Sequence, residues 1–292
     1  MSIQIYYFSG SGNSLHAARE IQRRIPATEL IPIVSLLGRP GCRAQAESVG
    51  FVFPQYASTL PKVMAQFIRT LDVSSAAYLF ALATRGGTDC LAFDDLDQIL
   101  SASGRGLDAF FVLNMPSASE SLIADYSSKI TPENTARLEA EMQARLASIC
   151  QTIASRSPDR SADLRGLVTL PAFLRPLMPV LRPLILRLGK RAESTFAFYS
   201  DEKCSGCAVC EKVCLARRVR LVSGRPVWQK EVNCYGCFAC LNFCPEQSVQ
   251  IRSTWYLKSH TPENGRYHHP QITAKDIAAQ KSAFYQDGGA WQ

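Results

Sequence analysis

The sequence lacks any apolar run long enough to cross a lipid bilayer. Its most apolar stretch, residues 164–188, is interrupted by four prolines and by Arg165, Arg175, Arg182 and Arg187. The longest uncharged piece within it, residues 166–174, falls far short of the ~20 residues that a membrane-spanning helix needs. We therefore predict that the chain has no transmembrane segment.

Signals for secretion and for nucleic-acid binding are also missing. No signal-peptide pattern precedes residues 2–4, so the eleven cysteines predict a reducing, cytoplasmic setting rather than a disulfide framework. The net charge is +7, from 32 basic and 25 acidic residues. Because no basic patch with interleaved aromatics and no zinc-finger helix accompanies this charge, we expect no nucleic-acid partner.

Two common phosphate-binding signatures are absent, although a phosphate-type loop is present. The apolar run 3–8 predicts a buried strand, and a helix with an apolar face follows at Leu15, Ala18 and Ile21. The loop between them has neither the Gly-Lys-Ser/Thr of a Walker loop nor a Gly-x-Gly-x-x-Gly fingerprint. Glycines, hydroxyls and a helix N-terminus still form a candidate anion site, and a plain turn is the alternative. The candidate residues are Ser9, Gly10, Ser11, Gly12, Asn13 and Ser14.

The first half of the chain alternates strand and helix patterns. Strand-like runs occur at 3–8, 30–34, 49–53, 77–83 and 107–113, with helical patterns between several of them. This alternation predicts an α/β fold with a doubly wound, five-stranded parallel sheet. Ligands of such sheets bind beyond the carboxyl ends of the strands, at the switch point of the strand order.

Two further loops are expected at that edge. One follows the third strand and contains Pro54 and Tyr56; the other follows the fourth strand and contains Thr84, Arg85, Gly86 and Gly87. A surface tyrosine and ordinary turn glycines are the alternative. Together the three loops resemble the FMN-binding loops of flavodoxins. The resemblance implies that the first loop holds the FMN phosphate, that Tyr56 stacks on the flavin ring, and that the glycines approach its polar edge.

Eight of the eleven cysteines form two tandem runs. Each run has the spacing Cys-x2-Cys-x2-Cys-x3-Cys, which is typical of [4Fe–4S] ligation. Structural zinc is the main alternative, but a zinc site built from Cys-x2-Cys pairs does not need a third cysteine at the same spacing. Leu215 replaces the proline that often follows the last cysteine, which leaves the ligands unchanged. The predicted metal ligands are Cys204, Cys207, Cys210 and Cys214 in the first run, and Cys234, Cys237, Cys240 and Cys244 in the second.

Two-cluster ferredoxins take the fourth ligand of each cluster from the other run. That pattern predicts one cluster on Cys204, Cys207, Cys210 and Cys244, and another on Cys234, Cys237, Cys240 and Cys214. The remaining cysteines, Cys42, Cys90 and Cys150, show no ligand spacing and are expected to be buried or partly buried thiols.

Nearly the whole chain resembles the EFR-type ferredoxins, in which a flavodoxin-like domain is fused to a two-cluster bacterial ferredoxin module of the α+β class. Besides the loop 7–14 and both cysteine runs, the resemblance rests on 54–56, 114–116, 226–228 and the closing segment 266–273. It implies a flavodoxin-like domain over 1–157, a connector over 158–195, a two-cluster domain over 196–252 and a tail over 253–292.

The connector and the histidines have no assigned chemistry. The connector is rich in proline, arginine and leucine, and could pack between domains, form a partner surface or touch lipid headgroups. The four histidines show no ligand or triad pattern, and His16 is expected at the surface or in a capping role. The helix predicted over 132–156 closes the first domain.

These features predict an iron–sulfur flavoprotein of the oxidoreductase class. Flavin exchanges one or two electrons and clusters exchange one, so such a chain can relay electrons between its clusters, FMN and a redox partner. The positive net charge favours an acidic partner protein. An FMN-dependent reductase of a small organic acceptor and a redox or oxygen sensor are the alternatives. The oligomeric state does not follow from the sequence.

Overall fold

The computed structural model describes residues 2–56, 58–116, 130–165, 197–252 and 266–282. The first half of the chain alternates strands and helices in the predicted way. In order, the elements are β1 (Ile3–Tyr7), α1 (Asn13–Arg24), β2 (Thr28–Pro32), β3 (Ser48–Pro54), α2 (Lys62–Ile68), β4 (Tyr78–Arg85), α3 (Ala92–Ser101), β5 (Ala109–Asn114) and α4 (Pro132–Ser155).

The five strands form one parallel sheet in the order β2-β1-β3-β4-β5. In register, Ile5 of β1 pairs with Leu30 on one side and with Gly50 on the other. This is the strand order of flavodoxin-like folds, whose switch point lies between β1 and β3. The predicted doubly wound, flavodoxin-like α/β fold is therefore confirmed for this half.

The strands are apolar along their whole length because both faces of the sheet are covered. Every residue of β4 is buried, as are Val49, Phe51 and Phe53 of β3. Buried parallel strands need this continuous apolar pattern. Gly50 is required by packing, since a Cβ atom there would lie 2.3 Å from Cζ of Phe80.

Helix α4 ends the regular part of the first half. Its N-cap is Thr131, whose side chain accepts a hydrogen bond from Asn134, and Pro132 occupies the first turn, where its missing N–H costs nothing. The chain then returns to the sheet: Asp159 bridges to Ala109 of β5, and the carbonyl of Leu164 accepts from the N–H of Cys90. The start of the expected connector therefore packs on the sheet edge. Residues 166–195 of the connector lie outside the described residues.

The second half consists of short elements. They are β6 (Phe198–Ser200), α5 (Val209–Val213), β7 (Val219–Val222), β8 (Arg225–Trp228), α6 (Ala239–Asn242), β9 (Val249–Ile251) and α7 (Ala274–Ala279). Strands β6 and β9 pair antiparallel, as do β7 and β8. Helix α7 begins with a capping box, in which Thr273 and Asp276 exchange hydrogen bonds.

A repeat of 30 residues relates the two cysteine runs in backbone conformation as well as in sequence. Positive φ angles recur in pairs: 72° and 65° at Gly206 and Gly236, and 62° and 55° at Ala208 and Phe238. A third pair, Arg217 and Gln247, has φ angles of 54° and 49°. Each run therefore follows the same path, a tight loop followed by a short helix.

The two halves share one hydrophobic core. Val213, Leu215 and Phe243 from the cysteine half, and Ile272 and Ile277 from the carboxy-terminal segment, belong to the same buried cluster as the sheet. Apolar burial of this kind holds the halves together. Among the described helices, none has the length and apolar character needed to cross a membrane.

Candidate functional site

The eight cysteines of the two runs line two separate cavities. The first cavity is lined by Cys204, Cys207, Cys210 and Cys244. The second is lined by Cys214, Cys234, Cys237 and Cys240. In each cavity three thiols of one run meet the last thiol of the other run. The structure thus groups these cysteines as the cross-ligated pattern expects.

The backbone explains this grouping. Residues with positive φ angles make a tight turn in each loop. Three cysteines, each separated from the next by two residues, therefore face the same cavity. Gly206 occupies such a turn, and a Cβ atom there would lie 2.8 Å from the carbonyl oxygen of Gly224. The short helices α5 and α6 then carry Cys214 and Cys244 away from their own loops and into the neighbouring cavity.

The spacing of the thiols separates two kinds of metal site. Among the described residues, one group of three His, Cys, Asp or Glu side chains has all its ligand atoms within 4.8 Å of one another, and it contains no cysteine. Sulfur atoms around a tetrahedral zinc ion lie about 3.8 Å apart, because each Zn–S bond is about 2.3 Å. In each cysteine group, no three sulfur atoms lie within 4.8 Å of one another, so the described arrangement is more open than that around a zinc ion. A four-iron cube, being larger than one ion, holds its thiolates further apart.

Several donors point at the cysteine sulfurs. The N–H of Arg218 donates to Sγ of Cys214 at 3.2 Å, and the N–H of Gly236 donates to Sγ of Cys234 at 3.4 Å. At the second cavity, the buried Nε1 of Trp228 and Nε of Arg218 have no hydrogen-bond partner of ordinary geometry among the described residues. Inorganic sulfide or thiolate would supply the missing acceptor, so this donor set fits a cluster.

Burial disfavours the thiolate form of four of these cysteines. It raises the pKa of Cys210 to about 11, and it also moves the pKa of Cys234, Cys237 and Cys240 upward. Bound iron would reverse this preference, because a coordinating thiol loses its proton to the charge of the metal.

The three loops at the carboxyl ends of β1, β3 and β4 do come together. Oγ of Ser14 lies 2.8 Å from Oγ1 of Thr84, and Nε2 of Gln55 donates to Oγ1 of Thr88 at 2.6 Å. The boundaries differ from the prediction, however. Pro54 ends β3, and Thr84 and Arg85 end β4, so these residues belong to strands rather than to loops. Gly86 and Gly87 follow directly after β4.

Tyr56 and Arg85 contact protein at this edge. The ring of Tyr56 meets that of Phe8 edge-on, with centroids 6.3 Å apart. Arg85 is buried and donates to Oδ1 of Asn114 and to the carbonyls of Thr88, Asp163 and Leu164. Burial lowers the pKa of Arg85, and these acceptors make it a structural tie between β4, β5 and the chain after α4.

The space beside the first loop is filled by this chain's own residues. A Cβ atom on Gly10 would lie 2.5 Å from the carbonyl oxygen of Cys237, and one on Gly12 would lie 2.8 Å from Cβ of Ile272. The cysteine half and the carboxy-terminal segment therefore press against the two glycines that were expected to admit a phosphate.

The polar groups of the loop are also engaged. The N–H of Ser9 donates to Oε1 of Gln280 at 3.0 Å, and Nε2 of Gln280 donates to the carbonyl of Ser9 at 2.8 Å. The hydroxyl of Tyr267 donates to Oδ1 of Asn13 at 2.9 Å, and the N–H of His269 donates to the carbonyl of Ser11 at 2.8 Å. In this arrangement the carboxy-terminal segment, through Tyr267, His269 and Gln280, is hydrogen-bonded to residues of the first loop.

The expectation for His16 is wrong. His16 is 2 % exposed, and its ring stacks on that of His269 with centroids 3.8 Å apart. Nε2 of His16 lies 3.0 Å from Oε1 of Glu139, and Nε2 of His269 lies 3.3 Å from Oε2 of the same residue. Sequence spacing could not reveal this trio, because its members come from α1, α4 and the segment before α7.

This His–Glu–His trio has the composition of a metal site but not the protonation of one. The N–H of Gln271 donates to Nδ1 of His269 at 3.3 Å, so in the neutral ring the proton is on Nε2. Nε2 then donates to Glu139 and has no lone pair for a metal. Burial raises the pKa of Glu139, but hydrogen bonds from His16, His269 and Gln143 outweigh it and hold that pKa well below its usual range. The trio is a hydrogen-bonded clamp between three elements.

No protein-family model and no curated protein matches the sequence. Several solved structures are similar to the first half. The flavodoxin of Megasphaera elsdenii has 18 % identity and a TM-score of 0.29, covering 49 % of this chain and 98 % of that one. The Trp repressor binding protein of Bacillus subtilis has 12 % identity and a TM-score of 0.33, covering 53 % and 99 %. An FMN-dependent NADH-azoreductase of Bacillus anthracis has 8 % identity and a TM-score of 0.33, covering 51 % and 100 %.

Proposed function

We propose that this chain is an iron–sulfur electron-transfer protein whose second half carries two [4Fe–4S] clusters. One observation supports this most strongly: each cysteine group has four thiols around one cavity, and no three of these thiols lie as close together as those around a zinc ion. The repeat of 30 residues, with matched left-handed turns, supports it further, since it gives both groups the same loop.

The ligand roles follow from the two cavities. Cys204, Cys207, Cys210 and Cys244 would hold one cluster; Cys214, Cys234, Cys237 and Cys240 would hold the other. When bound, each cluster supplies one-electron transfer. The protein's contribution is to orient the thiolates, to donate hydrogen bonds to sulfur and to limit the access of water. Each run serves both cavities, so the two clusters lie next to each other.

The first cavity is the better candidate for exchange with a partner. Cys207 is exposed. In the second cavity, by contrast, Cys240 is buried and the other three cysteines are only partly exposed. A redox protein that contacts this surface would approach the first cluster most closely. The net charge of +7 favours an acidic partner.

In this proposal, FMN can bind only after the residues beside the first loop have rearranged. The flavodoxin-like sheet and the meeting of three loops at its switch point support a flavin site. Cys237, Ile272 and Gln280 occupy the space beside the first loop, so we assign no electron step to FMN in the folded arrangement described here. The reductase alternative would need open space at the same place, and the described residues give the sensor alternative no particular support.

Metal analysis after anaerobic purification tests the proposal. We expect about eight irons and about eight sulfides per chain. Reduction with dithionite should give the electron paramagnetic resonance signals of two interacting [4Fe–4S]⁺ centres. The Cys42→Ser variant is the control, because this thiol lies outside both cavities and should not affect the iron content. Stoichiometric zinc, or a colourless protein under argon, would contradict the proposal.

A further inference from the structure

The carboxy-terminal segment, residues 266–282, occupies the anion loop as a ligand would. Gln280 is fully buried, and its amide satisfies both the N–H and the carbonyl of Ser9. Oε1 of Gln280 therefore accepts a hydrogen bond from a backbone N–H of the kind that binds phosphate oxygens in loops before a helix. The side chain is neutral, but it offers the loop the same acceptor atom.

The segment is held by both halves of the molecule. Arg266 donates to the carbonyls of Leu241, Gln247 and Val249 in the cysteine half. Asp276 pairs with Arg19 of α1 at 2.6 Å, and Nζ of Lys281 donates to the carbonyl of Lys212 at 2.5 Å. Hydrogen bonds and an ion pair thus hold both ends of the segment, and they fix its position over the loop.

The loop also contains a buried hydroxyl without a partner in the described part of the chain. The hydroxyl of Ser9 is buried and has no hydrogen-bond partner among the described residues. An unpaired buried hydroxyl is costly, and it is found where a ligand completes the site. The loop therefore carries both an internal occupant and a remaining group suited to an anion.

We propose that the segment 266–282 is an internal ligand of this loop, and that the FMN phosphate and the docked segment exclude each other. The loop must be released from Gln280 and Ile272 before the phosphate can enter. The apparent affinity for FMN is then reduced by the fraction of molecules in which the segment is docked. In this way the segment controls whether the flavodoxin-like half takes up flavin. The proposal concerns the first half, and iron content does not depend on it.

The Gln280→Ala variant tests this exclusion, because it removes both hydrogen bonds to Ser9 and adds no bulk. FMN binding to the anaerobic holoprotein is measured by quenching of flavin fluorescence. We expect the variant to bind FMN about tenfold more tightly than the unmodified protein. Lys275→Ala, an exposed change on the same segment, is the matched control and should leave the affinity unchanged. Riboflavin, which lacks the phosphate, should not distinguish the variants.

Hydrogen exchange of the unmodified protein provides a second measurement that needs no variant. Addition of FMN should increase exchange at the backbone amides of 266–282, including the N–H of His269, which bonds to Ser11. Equal FMN affinities in Gln280→Ala and the unmodified protein would overturn the proposal. So would FMN binding without increased exchange, or no FMN binding to either protein. Loss of iron, by contrast, would count against the two-cluster proposal alone.

Discussion

The two cysteine cavities share a backbone and a ligand set, but their surroundings differ. The first is lined by Leu221, Pro226 and Val249, and it reaches the surface at Cys207. The second is lined by the aromatic residues Phe198, Trp228, Tyr235 and Phe238 together with Arg218. Cluster potentials depend on hydrogen bonds, exposure and charge more than on the ligands themselves. A repeated motif has therefore produced two sites that should behave differently.

The second cavity also differs in its neighbours. Tyr235 meets Phe8 of the sheet half edge-on, with centroids 6.0 Å apart, and Cys237 packs directly against Gly10. The second cysteine group is thus the one joined to the flavodoxin-like half, whereas the first faces outward. Under the proposed function, we therefore expect the first group to exchange electrons with a partner and the second to be coupled to the sheet half.

Substitution of the last cysteine of either run should have the largest effect. We expect it to damage the cluster whose other three ligands come from the other run. We expect Cys214→Ser to damage the cluster bound by Cys234, Cys237 and Cys240, and Cys244→Ser to damage the other, because each crosses over. Iron analysis and electron paramagnetic resonance should show about half of the iron lost or one cluster altered. Damage to the cluster within the same run would refute the cross-ligated grouping.

Gly10→Ala should loosen the contact between the second cavity and the sheet. The added Cβ atom would lie 2.5 Å from the carbonyl oxygen of Cys237, which cannot move without its loop. We expect a loss of about 1–3 kcal/mol in the free energy of unfolding, as for other overpacked sites, and faster loss of the second cluster in air. Gly106→Ala is the control, since its Cβ atom would meet nothing closer than 3.5 Å. Equal sensitivity of both clusters would contradict the assigned asymmetry.

Acidification should weaken the clamp that holds the carboxy-terminal segment. Burial lowers the pKa of His269 from 6.5, despite the neighbouring Glu139 carboxylate, and the rings of His16 and His268 disfavour its charge further. A lowered pKa in the folded state means that this contribution to stability is complete above pH 6.5 and is lost as the pH falls below it. After correction for the slower intrinsic exchange rate at lower pH, the protection of the amides of residues 266–282 should therefore decrease between pH 7 and pH 5.

Substitution of the clamp carboxylate separates this effect from general acid sensitivity. Glu139→Gln should cost about 1–3 kcal/mol, because both imidazoles lose a charged acceptor. It should also steepen the pH response, because without the carboxylate the pKa of His269 falls further below 6.5. Glu141→Gln is the matched control, since Glu141 forms a half-exposed pair with Arg137 on the same helix. An unchanged pH response in Glu139→Gln would exclude the trio as its source.

The smallest effect is expected from Trp228→Phe. This change removes an indole N–H at the second cavity, which lies beside the Cys240 thiol and has no ordinary hydrogen-bond partner among the described residues. Donors near sulfur stabilise the reduced, more negative cluster, so the potential of the second cluster should fall while that of the first stays constant. A redox titration followed by electron paramagnetic resonance measures both. Val227→Ala, an exposed neighbouring change, is the control, and a shift of both potentials would argue against a local donor.

Most of the sheet could be predicted from sequence because its strands are buried on both faces. The run 49–53 lies within the observed Ser48–Pro54, and the run 77–83 begins one residue before the observed Tyr78–Arg85. The predicted ends of the strands were less accurate. No glycine or proline interrupts β4 before Arg85, and the buried guanidinium of Arg85 is hydrogen-bonded to Asn114 at the end of β5, so the strand continues to that residue. The helix predicted over 132–156 was accurate to one residue, because Thr131, Pro132 and the left-handed Arg156 mark its ends.

Local chemistry in the sequence was enough to determine the alternating α/β half, the strand–loop–helix at 9–14 and the spacing of the two cysteine runs, because each depends on residues close together in the chain. Tertiary structure alone decided how these parts meet. It placed Cys237, Ile272 and Gln280 against the anion loop, and it joined His16, Glu139 and His269 over more than two hundred residues of chain. Such contacts depend on which apolar surfaces are buried together, and no local periodicity records that choice.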